Sequence, residues 1–193
     1  TANNLGATAG AALNIYAYEL DGGAVRLVSR NATTGAVADG NCFLPVASLD
    51  GRYVAFESLA GNLGPSAAGL QILRVDRVTG TVARASESAS GTAGNDQSRF
   101  PSISGDGRYV AFQSFANALV AGDGNDRADI FVKDFSTGAL EVISRNASGA
   151  FADDNAAALS AQALSGDARY VAFASAASNM VAGQAGGVQQ AYL

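Results

Sequence analysis

The chain has 193 residues, of which 48% are hydrophobic and only 15% charged, with a net charge of −5 and no histidine. It is apolar enough for one sizeable core, which excludes the charge-rich, apolar-poor class of disordered chains. A single lysine, Lys133, leaves no basic stripe for a nucleic-acid partner, and the missing histidine removes Ser-His-Asp and Cys-His triads and His-ligated metals. Cys42 is the only cysteine, so neither an intrachain disulfide nor a thiolate cluster can form, and it reads as a small buried hydrophobe. No apolar run reaches the length of about eighteen residues that a membrane helix needs, so no membrane insertion is expected. A start at Thr1 rather than Met implies a processed chain or an excerpt of a longer one.

In chain order, the first legible element is "IYAYELDGGAVRLVSRN" (15–31), two strands about a turn ending in Gly23. It aligns without a gap to "IFVKDFSTGALEVISRN" (130–146), and "ILRVDRVTGTVARASES" (72–88) fits the same frame. Next comes "FLPVAS" (43–48), an Asp50-Gly51-Arg52 turn and "YVAF" (53–56), which together read as a β-hairpin. The hairpin returns as "RFPSIS" (99–104) with "YVAF" at 109–112, and as "SAQALS" (160–165) with "YVAF" at 170–173. The central aspartates, Asp50, Asp106 and Asp167, are 56 and 61 residues apart, a repeat period. In the third copy Ala168 replaces Gly51 and Gly107, so its turn either avoids a positive φ or carries modest strain. Gln162 likewise replaces Pro45 and Pro101.

"YVAF" is apolar on both pleat faces, so the strand must be covered on both sides, as in a stack of sheets. Its aromatics, Tyr53, Phe56, Tyr109, Phe112, Tyr170 and Phe173, read as packing between sheets. Each repeat then holds four short antiparallel strands, the module of a β-propeller blade. Polar clusters such as "AVADGN" (36–41), "GTAGND" (91–96) and "AFADDN" (150–155) recur once per repeat and should line one end of the molecule. Asn31 and Asn146, each opening an Asn-x-Ser/Thr string, fall at equivalent positions and read as turn residues.

The string "PSISGDGRYVAFQSFANALVAGDGNDRADIFVKDFSTGALEVISRN" (101–146) resembles a repeat of the TolB-like β-propellers, also described as WD-like propeller repeats. The resemblance implies an all-β propeller of four-stranded antiparallel blades, periplasmic or extracellular in bacteria, serving in protein–protein interaction or assembly. About three blades' worth is present: a half blade over 1–35, blades over 43–90 and 99–148, and a partial blade over 157–193. The terminal "QAYL" (190–193) stands where "DIFV" (129–132) stands. An incomplete ring of this kind calls for more chain or another copy of itself, in a ring or a filament. Alternatives are a carbohydrate- or calcium-binding propeller, or the propeller part of a larger hydrolase.

Catalysis is not expected, because the acids recur in repeat frame: Asp50, Asp106 and Asp167 in turns, Glu19, Asp76 and Asp134 ending third strands. One constellation breaks the frame. In "GDGNDRAD" (122–129), Asp123, Asn125 and Asp129 have the oxygen-donor spacing of calcium loops, with Gly124 permitting a tight bend and Asp126 nearby. The competing reading is a solvated Asx-rich turn; the metal reading is one structural calcium. The equivalent loops "GATAGAALN", "GPSAAGLQ" and "AGQAGGVQQ" lack the acids, and no distal Glu completes an EF-hand.

Overall fold

A computed structural model describes residues 12–64, 69–157, 162–183 and 190–192. Among them there is no helix, and the strands form four antiparallel sheets in succession. The first sheet has two strands, β1 (Tyr16–Tyr18) and β2 (Val25–Leu27). The second is β3 (Cys42–Ala47), β4 (Tyr53–Ser58), β5 (Gln71–Asp76) and β6 (Val82–Arg84), paired in chain order. The third repeats it with β7 (Ser98–Ile103), β8 (Tyr109–Ser114), β9 (Asp129–Asp134) and β10 (Leu140–Val142). The last has β11 (Ala156–Ala157), β12 (Phe173–Ser175) and β13 (Gln190–Tyr192). Gln190 faces Ser175 as Asp129 faces Ser114, so Gln190–Tyr192 of "QAYL" enters as a third strand, with 193 outside the described residues.

The two faces of "YVAF" enter different cores, which is why both are apolar. Val54 and Phe56 pack with Ile15 and Val28 of the preceding sheet, while Ala55 packs with Phe112 of the following one. One repeat later, Val110 and Phe112 look back and Ala111 looks forward to Phe173. A large ring from each sheet thus meets a small alanine of the sheet before it, and Phe56, Ala55, Phe112 and Ala111 are wholly buried.

The hairpin turns share one mechanism. Ser48, Ser104 and Ser165 each donate their Oγ proton to the aspartate two residues on, at 2.6 Å, and accept the N–H of the following Tyr53, Tyr109 or Tyr170. Gly51 and Gly107 take φ of 67° and 72°, and Ala168 takes 58°, so the third turn keeps the left-handed geometry without glycine. The turns are stitched together: Leu49 N–H donates to Gly105 O and Gly105 N–H to Gly166 O, both at 2.9 Å.

The first strands carry bulges where Leu44 and Phe100 adopt positive φ just before Pro45 and Pro101. In the last sheet Ala157 pairs with Ala174, and pairing resumes where Ala172 N–H donates to Ala163 O and Leu164 bridges Val171, so five residues stand between the pairs where the earlier sheets have two. Of the first strand expected at 160–165, the described residues show a bridge at Leu164, with a short strand earlier at Ala156–Ala157, and 158–161 lie outside the described residues. The 61-residue interval is the 56-residue one lengthened by these three residues and by two in the β8–β9 connection.

The Asn/Asp clusters gather at one end. Asp39 accepts the N–H groups of Gly61 and Asn62, Asn95 that of Ala118, and Asp153 that of Ser178. Asn31 and Asn146 are turn residues: the Asn31 side chain accepts the Thr33 and Thr34 N–H groups, and Asn146 those of Ser148 and Ala150.

Candidate functional site

The polar connection 115–128 leads into β9 and brings Asp123, Asn125 and Asp129 together. Asp129 is wholly buried; its Oδ1 accepts the Ser144 hydroxyl at 2.5 Å and its Oδ2 faces Asn125 Nδ2 at 3.4 Å. The repeat frame explains the Ser144 contact. Gln71 takes the Ser86 hydroxyl and Asn14 the Ser29 hydroxyl at the same place, so Asp129 puts a carboxylate where the other sheets hold a neutral amide. Burial pushes the Asp129 pKa up, against the hydrogen bonds from Ser144 and Asn125 and the field of Arg145. Asp123 is pushed up to about 6, by burial first and by the Asp129 charge second. Asp126 holds a positive φ of 52° and is exposed.

Asn125 is oriented by its surroundings. Its Nδ2 donates to Ala152 O at 3.1 Å and its Oδ1 accepts the Arg127 N–H at 2.9 Å. In this arrangement the hard anionic oxygens are those of the two carboxylates, with Asp129 already accepting from Ser144 and Asn125, and a calcium ion held by all three side chains requires the amide to turn over. No group of three His, Cys, Asp or Glu side chains among the described residues is disposed to hold a metal. Sequence reasoning missed Ser144 and Arg145. The repeated Ser of 29, 86 and 144 was the available signal for the first. Arg145, its guanidinium 4.1 Å from the Phe151 ring with a buried Nε lacking a hydrogen bond, stands where Arg30 and Glu87 stand in the earlier repeats. The acid-free loops 6–14, 64–71 and 182–190 lie largely outside the described residues.

The repeat acids do scaffold work. Arg52 grips Asp76 and Arg108 grips Asp134, with shortest contacts of 2.7 and 2.6 Å, closing each second strand onto the third. Arg52 holds Asp76 down at about 2, and Arg108 holds Asp134 lower still. Glu19 takes both Arg26, at 2.9 Å, and Arg77 of the next sheet, at 3.3 Å. Cys42 is buried, which pushes its thiol pKa up.

A groove of about 900 Å³ opens between the first two sheets, over β2, residues 35–37, the Asp50–Arg52 turn and the turn after β5.

No protein-family model matches the sequence, and no curated protein is significantly similar to it. Among solved structures the chain is similar to a putative TolB from Agrobacterium tumefaciens, with 26% identity, a TM-score of 0.41, and coverage of 67% of this chain and 40% of that one. It is also similar to TolB from Acinetobacter baumannii, with 19% identity, a TM-score of 0.49, and coverage of 93% and 34%. A third similar structure is the tricorn protease, with 19% identity, a TM-score of 0.48, and coverage of 83% and 13%. The chain spans less than half the length of each. With antiparallel sheets packed in succession, two of them four-stranded, the described residues form an all-β fold of propeller blades in about three blades' worth.

Proposed function

We propose that the chain is a non-catalytic propeller module of the bacterial periplasm or exterior, working through protein–protein contact or assembly. The observation that carries this reading is that, among the described residues, each outer sheet is covered on its inner face alone. Among the described residues β1 pairs only with β2, and Tyr18 is exposed on the pleat face opposite Ala17, which packs on the second sheet. At the other end Tyr170, the counterpart of the packed Tyr53 and Tyr109, is 48% exposed. Unpaired edges and uncovered aromatic faces are surfaces that proteins complete with further strands, from more chain or from another copy. Light scattering of the isolated chain tests this: association above 19.3 kDa is expected, and a stable folded monomer refutes it. A Ser-Asp-His hydrolase domain downstream in the complete gene would favour the reading as the propeller part of a larger hydrolase.

A second reading, one structural calcium at Asp123, Asn125 and Asp129, is favoured by the two carboxylates whose mutual repulsion a cation would relieve. Millimolar calcium should then raise the melting temperature, and Asp123→Ala should cancel the rise. Identical melting curves in calcium and in chelator reject it.

A further inference from the structure

We propose that the groove between the first two sheets binds an acidic peptide segment, its carboxylates held by Arg26 and Arg30 and its apolar side chains by a valine wall. The inference rests on reading the chain as an interaction module and gives that module a partner chemistry.

The repeat supplies the comparison that isolates the groove. At the next junction the same space is plugged. Lys133 reaches into it, buried, donating to Gly138 O at 3.0 Å and lying 3.5 Å from Glu87. Arg74 stacks at 3.7 Å over Phe135 and 4.4 Å over Tyr53. By strand register Val75 occupies the place of Lys133, since Val54 faces Val75 as Val110 faces Lys133. Arg30 occupies the place of Glu87, since their bridges to Val37 and Ala93 correspond. The plug is therefore gone, and a cation stands where the second junction has an anion.

The lining is cationic in a chain of net charge −5: Arg26, Arg30, Arg52 and Arg77 against Glu19 and Asp50. Arg52 is engaged by Asp76, and Arg26 and Arg77 share the single carboxylate of Glu19. Arg30 is exposed and has no side-chain partner among the described residues. Between the arginines run Val25, Val37, Val75 and Val78, the last 76% exposed. Guanidinium groups match carboxylates in two-pronged geometry and shed water readily. A bare anion would leave the valines unused, and an apolar chain would leave Arg30 unpaired. Alternating carboxylate and apolar side chains satisfy both.

The test is fluorescence anisotropy with a labelled Asp-Leu-Asp-Leu-Asp peptide at low ionic strength, beside its amide counterpart Asn-Leu-Asn-Leu-Asn. The acidic peptide should bind about tenfold more tightly than the amide, weakening as salt rises. Arg30→Ala should cost about fivefold. Arg30→Glu with Val75→Lys, which installs the plug of the second junction, should abolish binding. Circular dichroism reports whether that pair folds, and the exposed Arg30→Ala stands alone if it does not. No binding at millimolar peptide, equal binding of both peptides, or tighter binding of a uronic-acid oligosaccharide overturns the inference. A chain that self-associates yet ignores the acidic peptide keeps the module reading and loses this one.

Discussion

The second and third repeats carry almost the same words and fold them differently. "YVAF" at 109–112 lies in the six-residue strand Tyr109–Ser114, whose last five residues are buried. "RYVAF" at 169–173 yields only Phe173–Ser175, with Tyr170 and Ala172 exposed. The difference is cover. Val110 and Phe112 are closed over by Ala55 and Ile72 of the preceding sheet on one face, and Ala111 by Phe173 on the other. The third copy is covered on its Phe173 face alone among the described residues. Strand length here follows from what packs on the strand, not from its own propensity.

The largest expected effect tests that claim directly. Phe112→Ala should cost about 3–5 kcal/mol, because the ring is wholly buried and stacks on Phe131 at a centroid distance of 5.7 Å. Phe173→Ala should cost at least about 1 kcal/mol less, since a site with one open face can collapse. Urea denaturation of the two variants measures both. Equal losses would mean that the third repeat is as well packed as the second and that cover does not explain its short strand.

A second way to sharpen the comparison uses the turn glycine. At Gly107 a Cβ would sit 2.2 Å from the Tyr53 ring, on a backbone with φ of 72°. Gly107→Ala should therefore cost about 2–4 kcal/mol through overpacking and left-handed strain together. Gly51→Ala meets only the end of Arg77 at 3.5 Å and should cost about 1–2 kcal/mol, the strain alone. A common loss at both sites in thermal melts would remove Tyr53 as the reason.

Much of this was legible in the chain because the repeat exposes its own rules. The two-sided apolar "YVAF", the Ser-x-Asp-Gly-Arg turn and the Arg–Asp ties each occur more than once, so accidents separate from requirements. The bulges were not legible. Leu44 and Phe100 take positive φ without a glycine to announce it, and the N–H freed at Phe100 is satisfied by Glu57 of the preceding sheet, 43 residues away. The groove was equally hidden, since Val75 and Arg30 are ordinary residues until their register with Lys133 and Glu87 is known. The spacing of Asp123, Asn125 and Asp129 was readable, whereas the amide orientation of Asn125 depends on Ala152, beyond β10.

The acidic loop distinguishes the second repeat by charge, and pH separates its contribution from that of the ties. Asp76 and Asp134 are depressed by their arginines, so their stabilisation is full above the ordinary carboxylate pKa near 4 and is lost as pH falls toward 2. Asp123 runs the other way. Its folded pKa near 6 lies above its ordinary value, so its ionisation opposes folding, with no penalty below about pH 4 and a full one above about pH 6. Asp123→Asn should raise stability at pH 7 by on the order of 1 kcal/mol in chelator and change nothing at pH 4. A gain of the same size at both pH values would show that desolvation and the Asp129 charge are not its cause.

The smallest expected effect returns to the third turn. Ala168 keeps the left-handed conformation that Gly51 and Gly107 adopt freely, and its neighbours Ser165 and Asp167 hold it there by the same hydrogen bonds. An L-residue pays about 1 kcal/mol for that φ, while glycine in its place adds unfolded-state entropy that offsets part of the relief. Ala168→Gly should therefore stabilise by about 0.5 kcal/mol or less. Ala168 packs at the edge of the core that Tyr109 and Phe173 share, so the lost methyl contact sets the lower limit. Hydrogen exchange reads the local effect better than global melting: the Arg169 amide, bonded to Ser165 and Asp167, should exchange more slowly in the variant. Faster exchange there would show that the methyl contact outweighs the strain, and that the third turn tolerates alanine through packing.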